Sequence, residues 1–250
     1  MFFVSLRSGS YGNGYLISDG TSTIMFDAGV PRKLVHWAMS ELQIPAPTHI
    51  FISHEHHDHI KTLDILVRAF PHIEIVATNG TLGGIWNLPN AEICAAKAND
   101  EIAINGFCVR LIPKPHDAAE PVSFVVQHRS GKNIAMVTDI GYPAPEVIEN
   151  VRGADLLLIE SNYDPKMLKA SLYPEYLKWR ISSDHGHLSN KQCGEFIEAA
   201  IHADMKTIVL GHLSEQNNHP DIAFKSARKR VPAASDLFVA SRYEPVIIEL

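Results

Sequence analysis

Cysteine is scarce in this chain. Its 250 residues include only Cys94, Cys108 and Cys193, and no two of them form a CxxC pair. An odd number of cysteines without paired spacing is not typical of a disulfide framework or of a cysteine-ligated zinc site. The pattern indicates buried or free thiols in a reduced compartment, so we expect a cytoplasmic protein.

Long apolar runs are missing as well. No stretch approaches the ~20 apolar residues that a membrane-spanning helix requires. Residues 1–7 are too short for a signal peptide and lack its basic lead-in. We therefore expect no membrane partner. Low complexity, charge blocks and repeats are also absent, which favours one compact domain over residues 1–250.

The chain has no excess of positive charge. Its 22 Lys and Arg residues face 28 Asp and Glu residues, which gives a net charge of −6. This balance argues against a protein that holds nucleic acid on a broad basic face. It still allows an enzyme whose bound cations contact a phosphate directly, with a small basic patch that supplies the remaining attraction for the nucleic acid.

Histidine, by contrast, is abundant, and it concentrates in one stretch. Residues 53–60 read Ser-His-Glu-His-His-Asp-His-Ile, after a β-branched apolar run and before a segment with helical apolar spacing. The motif is therefore predicted where a buried strand ends and a helix begins. His54 and His56 lie two residues apart and can grip one ion, while Asp58 and His59 can reach a second. This arrangement indicates a metal site and not a solvated polar loop.

The pattern His-x-His-x-Asp-His is the signature of the metallo-β-lactamase superfamily. The chain resembles the YycJ-like (WalJ-like) group of single-domain hydrolases in that superfamily, with tRNase Z as a cousin. The resemblance covers about residues 1–220, and its motifs fall in the family order. It implies an α/β fold, the four-layer αββα metallo-β-lactamase sandwich, with two sheets face to face and helices outside.

The resemblance also implies a set of metal ligands. His116, in a proline-rich loop, falls where the superfamily supplies its third histidine. Asp27 matches an aspartate that supports ligating histidines without binding metal itself. Histidine-rich ligation favours Zn²⁺, and two aspartates leave Mn²⁺ open. The two implied metal ions would be held by His54, His56 and His116, by Asp58, His59 and His212, and by Asp139 as the bridge.

Two further residues resemble the catalytic pair of tRNase Z. Glu160 ends an apolar strand, and His187 lies in a Gly-His-x-Ser element. A carboxylate beside an imidazole raises the pKa of the ring, so the pair would deliver a proton to the leaving oxygen. The simpler alternative is that His187 is incidental, and His185 is a weaker candidate for the same role.

A capping box follows this element. Ser189, with Gln192 three residues later, is predicted to open a helix that continues through Ala203. His187 would then lie just before a helix N-terminus. If the cap alone explains the local sequence, the histidine has no catalytic role.

The chemistry follows from the implied ligands. A water that bridges two such cations loses its proton near pH ~7 and becomes the nucleophile, which suits in-line attack on a phosphodiester. Asp58 is counted with the catalytic residues as well as with the ligands. We predict a dinuclear metal-dependent phosphodiesterase or nuclease. DNA exonuclease is the leading interpretation, because YycJ-like proteins are regarded as exonucleases that act on double-stranded DNA.

Two alternatives stay open. A small-molecule metallo-hydrolase, such as a lactonase or a cyclic-nucleotide phosphodiesterase, suits the acidity, and a narrow apolar pocket would favour it. A non-catalytic metal-binding regulatory protein is disfavoured because the set of ligands is intact. Basic residues at 225–230 next to the metals would favour the nuclease.

Candidate substrate contacts come from two loops. Ser10 and Asn13 lie in a Gly-rich turn that resembles the Ser-Gly-Ser-x-Gly-Asn turn of YycJ-like proteins, although a simple connector is an even alternative. Asn217 and Asn218 match the paired asparagines of that group. The chain lacks the arginine that follows in tRNase Z, which counts against a plain tRNA-processing role. It also lacks the inserted cap domain of β-CASP nucleases, so small loops or a homodimer partner would grip the nucleic acid.

Overall fold

A computed structural model describes residues 1–86, 90–202 and 205–250. No helix in these ranges is long and apolar enough to cross a membrane. In chain order the elements are β1 (Phe2–Arg7), β2 (Gly14–Ser18), β3 (Thr23–Phe26), α1 (Arg32–Leu42), β4 (His49–Phe51), α2 (His57–Ile60), α3 (Leu63–Ala69), β5 (Glu74–Thr78), α4 (Asn79–Gly84), β6 (Glu92–Ala96), β7 (Glu101–Ile104), β8 (Phe107–Pro113), β9 (Val122–His128), β10 (Asn133–Val137), α5 (Pro145–Val151), β11 (Leu156–Glu160), α6 (Pro165–Ala170), α7 (Glu175–Ser182), α8 (Asn190–Ala200), β12 (Thr207–Gly211), α9 (Pro220–Arg228), β13 (Asp236–Val239) and β14 (Val246–Glu249).

The described residues divide into two compact units. Unit 1 comprises Met1–Asp100, Ala118–Val122 and Ala240–Leu250, and unit 2 comprises Glu101–Asp117 and Ser123–Val239. Unit 1 therefore takes segments from both ends of the chain. The expectation of one domain over the whole chain stays a prediction.

Unit 1 contains a seven-stranded sheet in the order β14-β1-β2-β3-β4-β5-β6. Neighbours are antiparallel from β14 to β3 and parallel from β3 to β6. The change from antiparallel to parallel pairing follows from the connections, because a tight turn joins β2 to β3, whereas helices connect the parallel strands. An apolar cluster that includes Met25, Val35, Ile50 and Leu66 packs α1 and α3 on the sheet.

Unit 2 contains a second seven-stranded sheet, in the order β13-β12-β11-β10-β9-β8-β7. The strands from β10 to β13 are parallel, whereas β9 with β10 and β7 with β8 are antiparallel pairs. Helices α5, α8 and α9 pack on it through an apolar cluster that includes Val147, Leu157, Phe196, Ile208 and Ala223. Parallel strands covered in this way bring several strand ends to one edge of a sheet, where ligands commonly bind.

The predicted capping box is confirmed. Ser189 Oγ accepts a hydrogen bond from the backbone N–H of Gln192, and the Gln192 side chain accepts one from the N–H of Ser189, so the capping box forms. The helix it opens ends at Ala200; Ala203, where the sequence placed its end, lies outside the described residues. Helices α5 and α6 were not predicted from the sequence.

Candidate metal centre

In unit 1, two parallel strand ends place the first group of polar side chains. Strands β3 and β4 run in register, with Phe26 opposite Phe51. Asp27 directly follows β3, and the Ser53-His54 pair follows β4. Pairing of the two apolar strands fixes the backbone up to the strand ends, and the polar residues follow directly after those ends. These side chains therefore meet at the carboxyl edge of the sheet.

Asp27 orients one histidine of the motif. Its Oδ2 lies 2.7 Å from Nδ1 of His59, and its carboxylate also accepts hydrogen bonds from N and Oγ of Ser53, at 2.8 and 3.1 Å. A carboxylate at Nδ1 places the ring proton there and leaves the lone pair on Nε2. Asp27 has φ of +57°, a costly conformation for a residue with a side chain. This geometry supports the predicted supporting role.

His54 and His56 fit a shared cation. Nε2 of His54 lies 3.0 Å from Nδ1 of His56, and Ser53 Oγ lies 2.9 Å from the other His54 ring nitrogen. Two nitrogens at about 2.0–2.1 Å from a tetrahedral zinc ion are about 3.3 Å apart. The donor set of unit 1 therefore fits a divalent metal.

Asn13 positions Asp58 and His59. Its backbone N–H donates to the Asp58 carbonyl oxygen at 2.8 Å, and its Nδ2 donates to Asp58 Oδ2 at 3.0 Å and lies 3.1 Å from Nε2 of His59. Its Oδ1 accepts from the N–H of Gly9. Asn13 is fully buried, whereas Ser10 is exposed. These contacts give the turn a positioning function, and substrate contact by the two residues stays a prediction.

Gly29 is required by a close backbone approach that the sequence did not reveal. A Cβ added there would lie 1.7 Å from the Asp58 carbonyl oxygen and 2.6 Å from the Asn13 nitrogen. We expect Gly29→Ala to lower the free energy of unfolding by about 1–3 kcal/mol, the usual effect of forcing atoms into a packed site. It should also weaken metal binding by displacing Asp58.

Chemical denaturation and metal analysis of the purified variant would check this result. Gly83→Ala is the matched control, because a Cβ at Gly83 would meet no described atom within 4 Å. Equal unfolding midpoints for the two variants would contradict the packing around Gly29.

In unit 2, three adjacent parallel strands supply the second group. Asp139 follows β10, Glu160 is the last residue of β11, and His212 follows β12, with Glu160 in register with Gly211. All three side chains are buried. Asp139 and His212 have φ of +53° and +52°. Non-glycine residues in this region cluster at functional sites, because the surrounding structure must hold them there.

Glu160 is shared between two histidines. Its Oε2 lies 2.9 Å from Nδ1 of His187 and 2.7 Å from Nδ1 of His212, and its Oε1 accepts from the N–H of Leu188 at 2.8 Å. Burial would raise the pKa of Glu160, but His187 and His212 outweigh it and lower that pKa to about 2. The carboxylate therefore stays charged at neutral pH. The sequence paired it with His187 alone.

His116 faces the same group. Its Nε2 lies 3.9 Å from Asp139 Oδ1, and its Nδ1 lies 3.1 Å from the carbonyl oxygen of Gly186. Burial lowers the pKa of His116 to about 3, so the ring is neutral near pH 7. A neutral imidazole whose other nitrogen is held by a carbonyl is the form that binds metal.

Four side chains of unit 2 converge closely enough to hold one ion. Asp139, Glu160, His187 and His212 each offer a ligand atom within 4.8 Å of the other three. Two imidazoles and two carboxylates form a donor set that accepts divalent cations. His185, the weaker candidate for the acid, is exposed.

Two buried residues of this region were missed by the sequence analysis. Asn162 Nδ2 donates to the His212 carbonyl oxygen at 2.9 Å, and Lys114 Nζ donates to the carbonyl oxygen of Thr138 at 2.7 Å. Both hold the backbone beside a proposed ligand. Asn162 lies two residues after Glu160, just beyond the end of β11. That position was the feature of the sequence from which its role could have been predicted.

The paired asparagines have different surroundings. Asn218 Nδ2 donates to carbonyl oxygens of Ser161, Asn162 and the Asn190 side chain, and its Oδ1 accepts from Asn190 and His219. Asn217 Nδ2 donates to Ser214 Oγ, while its buried Oδ1 has no hydrogen-bond partner among the described residues. Both side chains are buried, and substrate contact by either asparagine stays a prediction.

Asn218→Ala is expected to act on stability. The change leaves several buried polar groups unpaired, which costs about 1–3 kcal/mol. We expect a lower unfolding midpoint and an unchanged KM. Asn150→Ala is the control, because the Asn150 amide makes a surface contact with the Glu146 carbonyl oxygen. A normal midpoint with a raised KM would instead support substrate contact.

Two of the four basic residues in the run at 225–230 are engaged within unit 2. Arg228 donates to the carbonyl oxygens of Val231, Pro232 and Ser235, and Arg230 forms an ion pair with Glu198. These contacts hold the end of α9. The placement of the run next to the metals stays a prediction, and the contacts of its two arginines do not decide between the nuclease and the small-molecule hydrolase.

The family of this chain follows from comparison with known proteins. The family described as the beta-lactamase superfamily domain matches residues 22–213. The chain is 32% identical over 229 residues to exodeoxyribonuclease YycJ of Bacillus anthracis, covering 89% of this chain and 86% of that protein. It is 31% identical over 231 residues to exodeoxyribonuclease WalJ of Streptococcus pneumoniae (strain D39), covering 87% and 83%.

A solved structure agrees on the fold. The metallo-β-lactamase fold protein YhfI from Bacillus subtilis superposes with a TM-score of 0.76 at 16% identity, over 99% of each chain. The α/β fold class predicted from the sequence is thereby confirmed. The chain belongs to the metallo-β-lactamase superfamily, and within it to the YycJ-like (WalJ-like) group.

Proposed function

We propose that this chain is a metal-dependent phosphodiesterase, a nuclease whose favoured activity is removal of nucleotides from DNA ends. The observation that carries the proposal is the Glu160 cluster. One buried carboxylate at the end of β11 contacts His212, which follows the adjacent strand β12, and His187, which precedes α8, in a chain related to proteins named exodeoxyribonucleases. A buried carboxylate–histidine pair beside a metal is suited to charged leaving groups such as phosphate esters.

The proposed centre holds two divalent ions, Zn²⁺ or Mn²⁺. When bound, they would supply Lewis acidity and an activated water. Asp27 would keep His59 oriented toward its ion, and the backbone N–H of Asn13 would hold the backbone of Asp58. The proposed ligands are those that the family motif implies: His54, His56, His116, Asp58, His59, His212 and the bridging Asp139.

His187 is the proposed general acid. Glu160 lies at its Nδ1 and would hold the ring so that Nε2 can present a proton to the leaving oxygen. The same carboxylate lies at Nδ1 of His212, which couples the acid to a proposed ligand. This pair would act at the end of the reaction, when negative charge develops on the leaving strand.

Assembly and compartment are also part of the proposal. We propose a homodimer, because the chain has few basic loops with which to hold nucleic acid alone. All three cysteines are free thiols, which supports a reduced, cytoplasmic environment.

A nuclease assay tests the proposed function. The full-length protein loaded with Mn²⁺ or Zn²⁺ would be incubated with end-labelled single- and double-stranded DNA and RNA. Progressive shortening of labelled DNA is the expected result. A protein that holds two metals and hydrolyses a lactone or a cyclic nucleotide, but no polymer, would overturn it in favour of the small-molecule alternative.

A further inference from the structure

An arm of unit 2 separates the proposed catalytic residues in the chain. The arm is defined as residues 165–182, which contain α6 and α7, and it lies between Glu160 and His187. No residue of α7 is buried. Burial of an apolar face supplies most of the stability of a short helix, so α7 must be held in another way.

Contacts at its end fix the arm beside proposed functional residues. Arg180 Nε donates to Asp117 Oδ2 at 2.5 Å, and Asp117 directly follows His116. The N–H of His187 donates to the carbonyl oxygen of Ile181 at 2.9 Å. The end of the arm is therefore held by Asp117, the neighbour of His116, and by the backbone of His187.

The arm presents aromatic side chains to solvent. Tyr176 and Trp179 are 74% and 73% exposed, and Leu172 is fully exposed. Residues three apart on a helix lie on the same face, so the two rings are neighbours. Several large apolar side chains exposed together mark an interaction site.

The charge of the arm indicates the kind of partner. It has four basic residues and one acidic residue, a net charge of +3, in a chain whose net charge is −6. Lys169, Lys178 and Glu175 line a hollow of about 560 Å³ together with Trp179, and Lys178 Nζ is paired with Glu175 Oε1 at 3.0 Å, which leaves Lys169 as the exposed lysine of the hollow. Aromatic rings combined with lysines are the features that bind single-stranded nucleic acid, since bases stack on the rings and phosphates pair with the cations.

We propose that the arm is a base-stacking platform that holds the substrate strand beside the proposed active site, with Tyr176 and Trp179 as the stacking residues. This inference rests on the proposed nuclease function and names the part of the substrate that is recognised. The rings contact unpaired bases, and Lys169 contacts the backbone. The platform would anchor the strand, so it should determine KM and leave kcat unchanged.

Two DNA probes and four protein variants test the platform. The probes are a fluorescent single-stranded DNA of about twelve nucleotides and an abasic strand of the same length, measured by anisotropy with EDTA so that no cleavage occurs. The variants of the full-length protein are Trp179→Ala, Trp179→Phe, Trp179→Leu and, as a matched control, Tyr243→Ala, whose ring is 64% exposed in unit 1. Steady-state kinetics on the normal strand with metal complete the set.

Trp179→Ala is expected to weaken binding of the normal strand about tenfold or more, since stacking on one ring supplies about this much. Binding of the abasic strand should change little. Trp179→Phe should restore most of the affinity, and Trp179→Leu should not, because leucine has no aromatic face. KM should rise with the loss of affinity while kcat stays constant.

Four results would overturn the inference. One is equal weakening of both strands, and another is full restoration by Trp179→Leu. The third is a wild-type dimer that Trp179→Ala converts to monomers in light scattering, which would make the arm an interface between copies. If the wild type cleaves DNA and Trp179→Ala binds normally, the platform fails and the nuclease stands. If the wild type neither binds nor cleaves any polymer, the proposed function itself fails.

Discussion

Asp58→Ala is expected to lower DNA hydrolysis at least about 10³-fold, which corresponds to about 4 kcal/mol of transition-state stabilisation. The reason is the position of the carboxylate. Oδ2 of Asp58 lies 3.4 Å from Nε2 of His59, and both accept from one Asn13 amide. Two electron-rich atoms thus face one point, where a cation would replace the amide hydrogens. Alanine removes one of them.

Metal content and rate should fall together in this variant. The measurements are metal analysis by mass spectrometry and the rate of release of labelled nucleotides. Asp64→Ala is the matched control, because Asp64 is an exposed carboxylate paired with Arg68 on the surface of a helix. Wild-type turnover by Asp58→Ala would exclude Asp58 from the ligands and from the catalytic residues.

His187→Ala is expected to lower kcat on DNA by about 10²–10⁴-fold, the usual contribution of a general acid. The loss should shrink for an activated aryl phosphodiester, because a nitrophenolate leaves without a proton. Metal content should stay near that of the wild type. The measurement is kcat for both substrates, with His185→Ala as a control at a nearby exposed position.

Comparison of Glu160→Gln with His187→Ala distinguishes the proposed general acid, His187, from the proposed metal ligand, His212. The variant disturbs His212 as well as His187, since one carboxylate oxygen contacts both rings. It is therefore expected to lower both the rate and the metal content, whereas His187→Ala lowers the rate alone. Loss of metal in His187→Ala would assign His187 to the ligands, a role that the four converging side chains of unit 2 permit.

The arrangement of the candidate site was predictable wherever it depends on strand ends. An apolar β-branched run that stops at a polar residue predicts where a side chain emerges, and Asp27, Asp139, Glu160 and His212 all lie at such ends. The capping box was equally local, because its partners are three residues apart. Both signals depend only on neighbouring residues, and both are readable in the printed sequence.

The positioning residues were not predictable in the same way. The requirement for glycine at position 29 comes from the carbonyl oxygen of Asp58, 29 residues later in the chain. Asn13 meets Asp58 across 45 residues. An asparagine in a Gly-rich turn has the same local sequence whether it contacts a substrate or a neighbouring loop. Only the packed structure separates the two.

By itself, the sequence determined the family and the fold class, because its motifs resemble those of the superfamily and fall in the family order, and that resemblance also named the candidate metal ligands. The tertiary structure decided which strands pair. Strands β13 and β14 follow one another in the chain and are both edge strands, but β13 joins β12 in unit 2 and β14 joins β1 in unit 1. Periodicity records how a strand is buried, whereas backbone hydrogen bonds to a partner far along the chain depend on the whole packed sheet.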